Sequence, residues 1–498
     1  MTQARQLVDK LWLYCNVLRD DGVSTIEYTE QLTYLIFLKM AHERATRRLN
    51  PITVVPPSCS WQRLLDADGD ELEVTYRHIL EELGRQPGAL GTIFRKAQNR
   101  IQDPPAKLKR LIVELIDREN WSAAGVDVKG DAYEALLAKG AEDIKSGAGQ
   151  YFTPPRSVIA AMVDCVQPSA KDTVCDPPAC GTGGFLLWAH TYAAKDAENL
   201  SPDERNHLRD GFVSGTELVD GTARLAAMNL LLHGIGTPQG DSLINVRDAL
   251  TADPGERYSV VLANPPFGRK SSVTMIGVDG RESRDDLEIV RDDFWVTTAN
   301  KQLNFVQHIK TILNINGRAA VVLPPDNVLF EGGAGGDDPA PPIARVRCPH
   351  TSATATGIFY AGGVKANVLF FDKRPASENP WTTKLWVYDF RTNKHFTLKQ
   401  NQLRRADLDD FVEAFGPGNS RESRVEGERF KAFTYDELVA RDKANLDIAW
   451  LRDDSLEDLD NLPPAPEVIA REIVDDLAAA LVEFEAVASA LEATATAD

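Results

Sequence analysis

The sequence predicts an α/β fold: a Rossmann-like core, with a mostly parallel sheet and helices on both faces, set between a helical N-terminal domain and a C-terminal helical tail. Three observations carry this. From Gln150 to about Asp389, short β-branched runs alternate with segments long enough for helices, the pattern of strands buried on both faces. Turns rich in Gly, Pro and polar residues follow several of those runs, and ligands in such sheets bind beyond the carboxyl ends of the strands. On either side of this region, apolar residues recur at helical spacing.

At 498 residues, with 43% hydrophobic and 26% charged residues, the chain is long enough for several buried cores. Composition shifts divide it into residues 1–145, 146–400, 401–462 and 463–498. The opening MTQARQLVDK has no basic stretch followed by an apolar one, and no run approaches the roughly 20 apolar residues of a membrane span. A cytoplasmic protein with no membrane partner is expected. The six cysteines (Cys15, Cys59, Cys165, Cys175, Cys180, Cys348) form no C-x-x-C pair, so reduced thiols are expected, with neither metal nor disulfide. A net charge of −19, from 74 acidic and 55 basic residues, argues against a protein that grips nucleic acid unaided. If the substrate is DNA, a partner supplies much of the hold.

The elements follow in order. Leu7, Leu11, Leu13, Val17 and Leu18 fit one helical face, and Ser24 to His42 offers a Ser N-cap with Glu27 at the capping-box position. Core packing accounts for both stripes. A further helical run, PPAKLKRLIVELIDREN, precedes Lys145-Ser146-Gly147-Ala148-Gly149, a domain boundary or a mobile loop. Strands are expected at Thr173 to Cys175, Gly211 to Ser214, Tyr258 to Leu262 and Arg318 to Leu323. At the far end, Pro463, Pro464 and Pro466 precede an amphipathic helix from Glu467 to Leu491. It either folds back on its own domain or meets a partner.

Four turns carry candidate chemistry. Asp176-Pro177-Pro178-Ala179-Cys180-Gly181-Thr182-Gly183-Gly184-Phe185 follows the first strand, and its glycines let backbone approach a small molecule. Nucleotide-binding loops and plain tight turns share this look. One strand later, Glu217 offers two acceptor oxygens to a vicinal diol, or serves as a helix N-terminal carboxylate. Asp241, in Gly240-Asp241-Ser242, accepts from an adenine amino group or caps a helix. The decisive turn is Asn264-Pro265-Pro266-Phe267, after a strongly apolar strand. Its prolines stiffen the backbone and remove two donors, so the Asn264 side-chain oxygen and the Pro265 carbonyl can accept both protons of a planar amino group. That raises lone-pair density on a nitrogen attacking a methyl sulfonium. Phe267 offers a stacking face for a base extruded from a duplex. The alternative is a strand-terminating turn with a core aromatic.

Asn-Pro-Pro-Phe together with Asp-Pro-x-x-x-Gly-Thr-Gly-Gly-Phe resembles amino-methyltransferases. Gly149-Gln150-Tyr151-Phe152-Thr153-Pro154, TELVDGTARLAAMNLLLHGI, Asp326 to Gly333, TGIFYAGGVKANVLFF and the N-terminal VLRDDGVSTIEYTEQLTYLIFLKM are similar to the modification (HsdM) subunit of type I restriction-modification systems. The resemblance spans nearly the whole chain. It implies an S-adenosyl-L-methionine-dependent methyltransferase core acting on N6 of adenine in double-stranded DNA. It further implies a separate specificity subunit that chooses the site and meets the C-terminal tail, a second copy of the modification subunit, and in some complexes a restriction subunit. Carried across by motif, Gln150, Tyr151, Phe152, Thr153, Pro154 and Pro155 border the methionine and adenine portions of the cofactor. Asp176, Gly181, Thr182 and Gly183 form its main-chain-binding loop, Glu217 holds its ribose, and Asp241 meets its adenine. Asn264, Pro265, Pro266 and Phe267 hold the flipped base for direct in-line transfer.

Three places depart from that family. An extra residue lies between Asp176 and Gly181, and an extra proline lies in Leu323-Pro324-Pro325-Asp326. Residues 336–355 show no apolar periodicity where the family has a helix and a strand, as a shifted reading frame would produce. With the frame shifted, the sheet would lose an element. Two other functions are therefore kept: a protein glutamine-amide methyltransferase, because that nitrogen is also conjugated, and a catalytically silent scaffold subunit.

Overall fold

The computed structural model describes residues 25–47, 51, 53–101, 105–119, 121, 154–266, 272–276, 282–286, 288–324, 350–353, 366–376, 381–390, 392–394, 396, 402–418, 423–441, 448, 450 and 451. The Leu7 to Leu18 stripe, Ser24, residues 145–153, Phe267, 326–333, 356–365 and the tail 463–498 lie outside them. Residues 1–449 form one compact unit and 450–498 another.

The helical region begins with α1 (Thr25–Ala45), with Glu27 in its first turn and His42 and Arg44 in its last, each sign complementing the helix dipole. The short α2 (Trp61–Asp66) leads to α3 (Gly69–Gly84), which starts where the Asp68 side chain accepts from the Gly69 amide. Leu72, Tyr76, Ile79, Leu80 and Leu83 line the buried stripe of α3 at three- and four-residue spacing. There follow α4 (Gly88–Phe94) and α5 (Pro105–Arg110), which runs on into a π-helical turn at Leu111–Ile116.

The core alternates as the sequence predicts: α6 (Arg156–Val166), β1 (Val174–Asp176), α7 (Gly184–Ala193), α8 (Pro202–Asp210), β2 (Val213–Glu217), α9 (Asp220–Leu232), β3 (Ile244–Val246), β4 (Tyr258–Ala263). A separate hairpin, β5 (Ser272–Ile276) with β6 (Glu282–Asp286), precedes α10 (Lys301–Ile312) and β7 (Leu313–Leu323). Then come β8 (His350–Ala353), β9 (Asn367–Asp372), β10 (Lys384–Asp389), α11 (Asp409–Phe415), β11 (Phe430–Thr434) and α12 (Tyr435–Ala440).

Nine strands make one sheet in the order β11-β10-β8-β9-β7-β4-β1-β2-β3. From β7 to β3 every pairing is parallel. On the other side, β9 runs against β7 and β8, and β11 runs against β10. The chain winds outward from β1 through β2 to β3, then crosses back to β4 on the other side of β1. This reversal opens a crevice at the carboxyl ends of β1 and β4, where doubly wound sheets bind ligands.

The four strands expected from sequence are β1, β2, β4 and β7. Within segment 336–355 the described residues are His350–Ala353, which pair with β9 on one side and β10 on the other. The sheet therefore keeps an element here. A short strand flanked by two partners gains its backbone hydrogen bonds from both, so it forms without the apolar alternation that would have announced it.

The helical region is fastened to the core by polar contacts. Arg224 of α9 pairs with Glu30 of α1 at 2.9 Å and with Asp220 at 3.6 Å, both arginine and Glu30 being largely buried. Arg44 donates to the carbonyls of Leu231 and Leu232 at the end of α9. The amides of Ala89 and Leu90, opening α4, donate to the carbonyls of Gly240 and Pro238 at 2.8 and 3.1 Å. Gly88 has φ +71°, and a Cβ there would lie 2.5 Å from the Gln239 and Gly240 carbonyl oxygens, so only glycine permits this approach.

Candidate active site

The first wall of the crevice is the loop after β1. Asp176 is 1% exposed, and its Oδ1 has no hydrogen-bond partner. The Cys180 amide donates to the Thr216 carbonyl at 3.0 Å, and the Gly183 amide to the Cys180 carbonyl at 2.9 Å. Gly181 and Gly183 take φ of +57° and +84°, and the space where a Gly181 Cβ would stand is open. Helix α7 then starts from Gly183. Behind the loop, the buried Asn229 of α9 donates from Nδ2 to the Thr182 carbonyl at 2.9 Å. Pro154 and Pro155 lead into α6, whose Ile159 lies against Gly184. Gln150, Tyr151, Phe152 and Thr153 lie outside the described residues.

Glu217 closes the second wall at the end of β2. It is 2% exposed; Oε1 accepts from the Val219 amide at 2.9 Å and Oε2 from the Gly181 amide at 3.1 Å. The carboxylate thus sits just before α9, as the helix-terminus alternative expects, and it also ties β2 to the glycine loop. Burial raises its pKa, opposed by the backbone donors of Val219, Gly181 and Leu218. Burial raises that of Asp176 as well, with the neighbouring Glu217 carboxylate adding repulsion. The thiols of Cys175 and Cys180 are likewise pushed up by burial, which leaves them inert. Leu218 and Val219, just beyond Glu217, and Val246, which pairs beside it, are exposed apolar side chains at this edge.

Asp241 is placed elsewhere. Strand β3 runs parallel to β2 with Ile244 beside Gly215 and Val246 beside Glu217, so Asp241 precedes the amino end of β3, at the edge away from Glu217. A strand follows it, which removes the helix-cap alternative as well. The turn it belongs to serves the helical region, whose α4 amides it receives. The acid at the carboxyl end of β3 is Asp248, which sequence reasoning passed over. Its Oδ1 accepts from the Leu250 amide at 2.9 Å, while Arg247 donates its amide to the Glu217 carbonyl. Its spacing from Ile244 to Val246 was the available signal.

Across the crevice, β4 delivers Asn264-Pro265-Pro266. Asn264 and Pro266 are half-buried and Pro265 is buried; Phe267 lies outside the described residues. The Pro266 carbonyl accepts from Nε2 of Gln302, in the first turn of α10. Asn300 caps that helix through the Leu303 amide at 3.1 Å. Arg291 links the two walls: Nη1 donates to the Ala249 and Leu250 carbonyls and meets Nδ1 of His308 at 3.3 Å. Burial, and then Arg291, hold His308 down at about 4, so at neutral pH it is an uncharged partner. No group of metal-ligating side chains occurs among the described residues, nor any helix long and apolar enough to cross a membrane.

A doubly wound sheet with a glycine loop after β1, a buried acid after β2 and Asn-Pro-Pro after β4 defines the class: a methyltransferase of Rossmann-like fold. Residues 124–451 match the N-6 DNA Methylase family and residues 7–115 the HsdM N-terminal domain family. The chain is 35% identical to the type I restriction enzyme EcoKI methylase subunit of Escherichia coli K12, over 99% of this chain and 96% of that protein. The StySJI methylase subunit of Salmonella typhimurium shows the same identity and coverage. The crystal structure of the EcoKI M protein covers 98% of this chain and 96% of its own, at 31% identity and a TM-score of 0.52. A modification subunit of a putative type I restriction enzyme from Vibrio vulnificus shares the fold at 22% identity, covering 88% of this chain and 94% of its own with a TM-score of 0.69. This chain belongs to the family of type I restriction enzyme methylase (HsdM) subunits, and it is a DNA methyltransferase.

Proposed function

We propose that this subunit transfers a methyl group from S-adenosyl-L-methionine to N6 of adenine in double-stranded DNA. In this proposal it works with a specificity subunit, a second copy of itself and, in the restricting complex, a restriction subunit. The observation that carries this is the placement of Asn264-Pro265-Pro266 at the end of β4, facing the Gly181 to Gly183 loop across the reversal of the sheet.

The residues present suit the cofactor. Asp176 has a buried oxygen in need of a donor, which an ammonium provides, and the open side of Gly181 leaves room for the chain that carries it. Glu217 can accept from a diol while it keeps its backbone donors, since each carboxylate oxygen has a second lone pair. Leu218, Val219 and Val246 offer apolar surface to a purine, with Asp248 at its rim to accept from an amino group. When bound, the cofactor supplies a methyl group on a sulfonium.

The chain's own residues hold and orient the nucleophile. The Asn264 side-chain oxygen and the Pro265 carbonyl accept the two amino protons, turning the nitrogen lone pair out of conjugation. Phe267 stacks on the extruded base. Fixing nitrogen against methyl in a closed pocket removes several kcal/mol of barrier, on the order of what well-aligned intramolecular reactions gain. Transfer is direct, with no covalent enzyme intermediate. Because the chain carries −19, the duplex is held largely by the partner, which also chooses the sequence.

The test is transfer of labelled methyl by the chain co-purified with its specificity subunit. Label is expected in adenine, and Asn264→Ala is expected to lower the rate at least 100-fold. Label in protein, or in neither, refutes the proposal, as does an Asn264→Ala complex that methylates adenine at the normal rate.

A further inference from the structure

Behind the Asn264-Pro265-Pro266 turn stands a side chain with no part in the chemistry above. Gln302 is 0% exposed; Nε2 donates to the Pro266 carbonyl, and Oε1 has no hydrogen-bond partner among the described residues. Leaving a buried amide oxygen unsatisfied is unfavourable, and Met or Leu would fill the same space without that cost. Packing alone thus gives no reason for glutamine at this position. The donor aimed at Pro266 does.

The other buried amides of α10 behave differently. Gln307 accepts from the Trp295 and Val296 amides and donates to the Val296 carbonyl, while Asn304 donates to the Thr298 carbonyl. Those two fasten the strap leading into their own helix. Gln302 instead reaches from α10 to the end of β4.

The turn needs such a brace. Two consecutive prolines fix φ at residues 265 and 266 but remove both amide donors, so neither residue can tie the turn back to the fold through an N–H. Rotation about ψ of Pro266 stays open, and that angle sets the plane of its carbonyl and the direction in which the chain leaves toward Phe267. One buried hydrogen bond to the Pro266 oxygen fixes it.

We propose that Gln302 is a positioning residue of the methyl-transfer site, locking the Pro266 peptide plane so that the acceptors at Asn264 and Pro265 meet the target base in a single arrangement. The proposal rests on the assignment of methyl transfer to this turn. Asn229 is the built-in contrast, since its amide braces the opposite loop through Thr182.

The experiment uses the complex with the specificity subunit and compares Gln302→Met, Asn229→Ala and Asn264→Ala. Gln302→Met keeps length and volume but has no donor. Its urea midpoint is expected to stay close to that of the unaltered protein, because removal of the unsatisfied oxygen offsets the lost bond to the Pro266 carbonyl. Its S-adenosylmethionine Kd is expected within twofold, and its single-turnover methylation rate to fall at least tenfold. Asn229→Ala should instead weaken S-adenosylmethionine binding. The proposal is overturned if Gln302→Met transfers methyl at the normal rate while Asn264→Ala is inactive, which leaves the site assignment standing. It is also overturned if the Gln302→Met rate falls only together with the urea midpoint or with S-adenosylmethionine affinity, the mark of a merely structural residue. Gln302→Asn, which keeps an amide but is one methylene short, guards against a Met-specific packing effect and should also lose rate with binding intact. An Asn264→Ala complex that remains active overturns the site assignment and this proposal with it.

Discussion

Replacing Glu217 by Gln tests whether the acid after β2 serves the cofactor as an ionised or shared acceptor rather than as bulk. Both carboxylate oxygens face backbone donors, Val219 N at 2.9 Å and Gly181 N at 3.1 Å. Whichever way an amide is turned, its NH2 confronts one of these N–H groups. One bond to a charged acceptor is lost, and a buried donor is left facing another donor, which costs about 2 kcal/mol. The glycine loop is what moves, because Gly181 is held there and α9 holds Val219. If the loss falls on ligand binding, about 2 kcal/mol corresponds to a rise of about 30-fold in S-adenosylmethionine Kd. Calorimetric titration with S-adenosylmethionine and with S-adenosylhomocysteine reads it, and the two should weaken equally, since the contact is remote from the methyl group. A Kd within threefold of the unaltered protein, or a loss confined to S-adenosylmethionine, refutes the reasoning.

Asp176→Asn should stabilise the protein at neutral pH while weakening S-adenosylmethionine binding. Because folding raises the Asp176 pKa well above the ordinary 3.8, its contribution is favourable below that value and lost as pH rises toward the folded one. The amide avoids the loss, so its gain in urea midpoint should be largest near pH 8 and vanish near pH 4. Gly88→Ala forces φ +71° on a side chain 2.5 Å from two carbonyl oxygens; with two amide bonds disturbed, a loss of about 3 kcal/mol in urea unfolding is expected. A loss below about 1 kcal/mol contradicts the docking described. Asp248→Ala should raise S-adenosylmethionine Kd about tenfold, the worth of one hydrogen bond to a carboxylate, whereas Asp241→Ala should leave it unchanged; the reverse ranking in the same titration restores Asp241 to the site.

What the sequence disclosed, and what it withheld, follows from how each feature is encoded. Strands β1, β2, β4 and β7 are apolar runs buried on both faces, so composition marks them, and the turns after β1 and β4 are written in Gly, Pro and Asn, whose backbone effects are local. Asp241 misled because β3 is three residues long with an acid on either side, and only its register with β2 shows which side lies at the carboxyl ends of the strands. Gln302, Asn229 and Arg291 could not be singled out: a polar residue in a helical or irregular segment reads as solvated, and each is buried here because a loop carbonyl distant in sequence needs its donor. Strand β8 was invisible for a related reason, since its ladder is supplied by β9 and β10.

Helix α9 shows why a helical N-terminal region belongs in this enzyme. Near its start, Arg224 takes Glu30 of α1; in its middle, Asn229 holds the Thr182 carbonyl of the glycine loop; at its end, the Leu231 and Leu232 carbonyls accept from Arg44. The same helix thus holds the N-terminal helices on one side and the glycine loop on the other. Burial raises the pKa of Glu30 even against the pull of Arg224, so the pair is kept at a desolvation cost, and a broken buried pair leaves one charge uncompensated. Arg224 and Asn229 stand about one and a half turns apart on this helix. The helical region and the glycine loop are thus anchored on one helix, Glu30 through Arg224 and Thr182 through Asn229.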